Sequence, residues 1–60
     1  MNTTINQALD KLTSKGDLNE EQQKLRDSLV KVKIEFGGNT IIENSLQVNN
    51  IVDFGNKEGK

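Results

Sequence analysis

The sequence predicts an α+β domain: two amino-terminal helices packed on one face of a small antiparallel β-hairpin or three-stranded meander, in the order α-α-β-β-(β). Three observations carry that expectation. Ile5, Ala8, Leu9 and Leu12 recur at i, i+3, i+4 and i+7, one apolar helical stripe. Asn19-Glu20-Glu21-Gln22 reads as a second helix start. From Val30 the apolar period drops to two, and Gly37-Gly38-Asn39 then separates two strand-like runs.

The first helix is expected from Thr4 to Ser14. Thr4 followed three residues later by Gln7 has the spacing of a capping box, in which each side chain satisfies the other residue's backbone N–H. Lys15 suits the negative end of the helix dipole, and Gly16 supplies a residue able to take positive φ after the last turn. The second helix is expected from Glu20 to about Leu29. Asn19 caps it, Gln22 completes the box, Glu20 and Glu21 fill the first turn, and Leu25 and Leu29 continue one face.

Val30, Val32, Ile34 and Phe36 alternate with Lys31, Lys33 and Glu35, as in a strand with one wet face. Leu25, Leu29, Val32 and Phe36 also obey helical spacing, so a longer second helix competes. The density of branched residues and the clean alternation favour the strand. A three-residue loop at 37–39 would set Phe36 opposite Thr40, Ile34 opposite Ile42 and Val30 opposite Leu46. Ile42, Leu46 and Val48 then face inward and Ile41 outward. Asn49-Asn50 turns the chain again, and Val52 and Phe54 suggest a short third strand. The organisation expected is one domain over 1–54 and a flexible polar tail over 55–60.

Composition narrows the chemistry. The chain has no His, Cys, Trp or Tyr, which removes the usual proton shuttle, the thiol nucleophile and the soft metal ligands. Nine carboxylates are present, but no motif sets two of them across a substrate-sized gap, and the serines have no histidine to activate them. Gly37-Gly38 lacks the Gly-Lys-Ser/Thr run of a phosphate loop. The expectation is a non-enzyme with no cofactor and no metal. No apolar run reaches the roughly 18 residues that span a bilayer, and the polar residues Asn2-Thr3-Thr4 do not open a signal peptide. No membrane partner and a cytoplasmic location are expected.

Protein interaction is the function class left. Sixty residues with 32% apolar content and no disulfide have limited means of stabilising themselves, yet the predicted sheet cannot bury every apolar side chain. Ile41 and Ile51 are the candidate interface residues. The function expected is that of a small interaction or regulatory module, acting through self-association as a homo-oligomer or through a protein partner. The alternative is weak nucleic-acid binding. Two helices joined by Ser14-Lys15-Gly16-Asp17 and followed by a hairpin resemble a winged-helix layout, and Lys24, Arg26, Lys31 and Lys33 could meet phosphates. Against it, Glu20 and Glu21 open the helix that would approach the duplex, and the net charge is −1.

Overall fold

Local capping starts the first two helices where the sequence places them. The computed structural model describes residues 2–55, and its elements are α1 (Ile5–Lys15), α2 (Glu20–Phe36) and α3 (Ser45–Phe54). At the head of α1 the Thr4 N–H donates to Gln7 Oε1 at 2.9 Å and the Gln7 N–H donates to Thr4 Oγ1 at 3.2 Å. The Ile5 and Asn6 amides donate to the carbonyls of Thr40 and Gly38, both at 3.0 Å. All four amides that a helix start leaves without intrahelical partners are therefore satisfied, two by the box and two by a distant loop.

The expected sheet is absent, which corrects the α+β assignment. Among the described residues there is no β-strand, only an isolated antiparallel bridge between Thr4 and Ile41. Residues 30–36 continue α2. Leu29 is buried and Leu25 and Val32 pack against the core, whereas Val30, Ile34 and Phe36, which the alternation would have turned inward, are exposed. A two-stranded hairpin of this length is marginal and leaves open edges, while a helix satisfies its backbone within itself. Gly37 at φ 101° ends α2, and its N–H donates to Lys33 O at 2.8 Å.

Residues 45–54, expected to complete the second strand and form a third, are α3. Ser45, Val48 and Val52 share its inner face at helical spacing, and Leu46, expected inside, is 80% exposed. Gly55 closes the helix in the left-handed region (φ 69°), its N–H donating to Ile51 O at 2.7 Å. The remainder of the polar tail expected over 55–60 lies outside the described residues.

Hydrogen bonds between helix ends set the order up-down-up. Ile42 N–H donates to Thr3 O at 2.8 Å, and Thr3 N–H donates to Ser45 Oγ at 3.1 Å, so α1 and α3 start side by side. The opposite end joins the start of α2 to the end of α3 through Gln22, which is 6% exposed. Gln22 Oε1 accepts from Asn19 N–H at 3.0 Å, while its Nε2 donates to Val52 O at 2.8 Å and to Ile51 O at 3.3 Å. One amide thus caps the beginning of one helix and the orphan carbonyls at the end of another. Ile5, Ala8, Leu12, Leu29 and Val52 form the core between the three helices, with Leu9, Leu18, Leu25, Val32, Ile42 and Val48 packed around it.

Candidate functional site

Each helix buries one narrow stripe, and the stripes leave apolar residues outside. α2 has 17 residues against 11 in α1, an excess of about 9 Å at 1.5 Å per residue. Phe36 continues the inner stripe of Leu25, Leu29 and Val32, yet it is 71% exposed. Ile34 (78% exposed) and Val30 sit one turn apart on the opposite, outer face of α2. Leu46 and Phe54, the latter 65% exposed, lie on the outer side of α3.

The sequence-derived interface candidates are placed differently from each other. Ile41 is 49% exposed and points outward beside its bridge to Thr4, while Ile42 packs on the core. That alternation matches the sequence expectation, although the pairing partner is the amino-terminal segment rather than residues 30–36. Ile51 is half-buried on α3 and does not join the core cluster, and its carbonyl is engaged by Gln22 and Gly55. Ile34, Phe36, Leu46 and Phe54 were not singled out from the sequence. Reading 30–36 at the helical period would have found Ile34, because it falls off the Leu25-Leu29-Val32 stripe.

Lys24, Arg26, Lys31 and Lys33 all lie on α2 and are exposed. As a strand, this segment would have set Lys31 and Lys33 on one face. On a helix they are about 160° apart, a correction that follows from the 100° step per residue. Arg26 and Lys33 line one flank of the outer face, and Lys24 and Lys31 line the other. Lys24 Nζ lies 3.9 Å from Glu20 Oε2, and Arg26 Nη2 lies 3.6 Å from Asp27 Oδ1. These are exposed pairs of the kind that contribute little to stability.

An open cleft of about 770 Å³ runs along α3 and is lined by Lys11, Glu43, Asn44, Ser45, Asn49 and Asp53 among others. Beneath it a polar network ties Thr3, Ser45 and Asn49 together. Ser45 Oγ donates to Ile42 O at 2.8 Å, and Asn49 Nδ2 donates to Thr3 Oγ1 at 3.0 Å. Asn49 Oδ1 is buried with no partner. Among the described residues no group of three or more His, Cys, Asp or Glu is placed to hold a metal ion, and no helix is long and apolar enough to cross a membrane. Comparison of the chain with family models, with curated proteins and with solved structures found no match.

Proposed function

We propose that the chain is a small non-catalytic interaction or regulatory module, working through self-association or through a protein partner. The observation that supports this reading is a count at the surface. Among the described residues six large hydrophobic ones (Val30, Ile34, Phe36, Ile41, Leu46 and Phe54) are exposed, against five that are fully buried in the core. Isolated surface hydrophobes are ordinary. Here, however, the exposed set is as numerous as the side chains packed around the buried cluster, in a chain that has no disulfide to compensate. Fully burying one such side chain is worth about 1.5–3 kcal/mol, so covering several together would add substantially to a domain of this size.

Sedimentation equilibrium across a wide concentration series tests the reading, with Ile41→Asp and Phe36→Ser as variants. The expected result is a mass that climbs toward a dimer or higher species for the natural chain. The variants should sediment as monomers with unchanged helical circular dichroism. A monomer at every concentration refutes self-association. If photo-crosslinkers at positions 36 and 41 then capture no protein in the native cell, the partner arm falls as well.

A further inference from the structure

The bridge between Thr4 and Ile41 leaves an open hydrogen-bonding edge. Its two bonds run from Ile42 N–H to Thr3 O at 2.8 Å and from Ile5 N–H to Thr40 O at 3.0 Å, so they flank the bridged pair instead of joining it. In an antiparallel pair of that kind the N–H and C=O of both central residues point away from the facing segment. Thr4 satisfies its own groups within the start of α1, its N–H donating to Gln7 Oε1 and its C=O accepting from Ala8 N–H at 3.1 Å. The N–H and C=O of Ile41 have no hydrogen-bond partner among the described residues, and its side chain is exposed. One residue thus presents a donor, an acceptor and an apolar group together. The edge is also short, because the chain turns at 38–39 and again at 43–44.

We propose that Ile41 pairs with the same residue of a second copy across a two-fold axis, each N–H donating to the other's C=O. The inference rests on the self-association reading above and names the contact that carries it. A hydrogen-bonded antiparallel pair exchanges two bonds between one residue of each segment, and here a single residue supplies both groups, so the edge is complementary to itself. That register sets the two Ile41 side chains beside each other on one face, with Cα atoms about 5.5 Å apart. It sets Glu43 across from Asn39, so no charge meets its like. A long extended segment of another protein fits less well. The next outward groups on this edge belong to Asn39 and Glu43, which lie in the turns, so a strand continuing past Ile41 loses its ladder. A second copy turns away at the same places.

Sedimentation equilibrium on chemically synthesised full-length chains tests the pairing. Methylation of the Ile41 backbone nitrogen removes the outward donor and touches no hydrogen bond of the fold. The mass of the natural chain should climb with concentration. The N-methylated chain should need at least about tenfold more protein to associate, with unchanged circular dichroism. Ile41→Val keeps the donor and a branched apolar side chain, and should stay within about threefold of the natural chain. Ile41→Cys gives a second readout, because the chain has no cysteine of its own and Cα atoms at this spacing accept a disulfide. Mild oxidation should link it into a covalent dimer much faster than Leu46→Cys. A methylated chain that associates as readily as the natural one overturns the pairing, as does Ile41→Cys oxidising no faster than Leu46→Cys. Either result leaves self-association standing through another surface. A natural chain that is monomeric at every concentration overturns both, and if a photo-crosslinker at position 41 then captures another protein, the edge belongs to that partner.

Discussion

Replacing Gln22 by glutamate separates what a capping box requires from what this fold requires. In the box alone the two residues are interchangeable, and a carboxylate in the first helical turn gains a few tenths of a kcal/mol or more from the dipole. In the folded chain only half of the amide serves the box. Its Oε1 accepts from Asn19, and Nε2 donates to the carbonyls of Val52 and Ile51 at the end of α3. Glutamate keeps the acceptor and loses the donor. Ile51 O retains the Gly55 amide at 2.7 Å, but Val52 O is left facing a carboxylate oxygen in a site where the native side chain is 6% exposed. An unsatisfied buried acceptor costs about 1–3 kcal/mol, and repulsion adds to it, so a loss of about 2–3 kcal/mol is expected at neutral pH. A domain of this length has about 3–9 kcal/mol in total.

The same geometry fixes the pH dependence. Burial beside two carbonyls raises the folded-state pKa of the introduced carboxyl above its unfolded value of about 4.3. The folded state then binds more protons between those two values, so the variant loses stability as pH rises through that window. Below it, the protonated carboxyl donates to Val52 O and recovers most of the deficit. Urea denaturation followed by far-ultraviolet circular dichroism is the assay, since the chain has neither Trp nor Tyr. With a slope near 1 kcal/mol per molar urea, the midpoint should fall by about 2 M at pH 7 and partly return in acid. An unchanged or raised midpoint at pH 7 would show that Gln22 acts only within α2 and would refute its role in joining α3.

Two further substitutions test the architecture. Val32→Asp should cost about 2–4 kcal/mol, because Val32 packs on the core, while Ile34→Asp should stay within about 0.5 kcal/mol. Equal losses in thermal melts would favour the alternating strand over the helix. Gly55→Ala should lower stability by about 2 kcal/mol, since φ is 69° and a Cβ there would run into the Asn19 side chain. The corresponding drop in Tm is about 8–16 °C, and a melt within a degree or two of the natural chain would refute this account of the closure.

The two helix starts were legible from the sequence because caps are local. Thr4 with Gln7 and Asn19 with Gln22 form both halves of their boxes, and neither needs a distant residue to do so. The outward turn of Ile41 beside an inward Ile42 was legible too, since neighbours in extended chain point oppositely whichever strand they pair with. The end of α3 carried a readable signal in Val48, Ile51 and Val52 at helical spacing before Gly55, masked by the polar Asn44, Gln47, Asn49 and Asn50 between them.

The state of residues 30–36 was not decidable locally, because Val32 and Phe36 satisfy both periods. Tertiary packing decided it. The helical period packs Val32 with Leu25 and the buried Leu29 against the core, and the alternating period would have needed a neighbouring strand that 45–54 does not supply. Residues 40–42 do find an extended partner, but it is the amino-terminal segment, whose helix start has amides to satisfy. Gln22 shows the same division. Its spacing from Asn19 announces the cap of α2. Its hold on Val52, thirty residues away, exists only once the helices stack and bury a carbonyl that must find a donor.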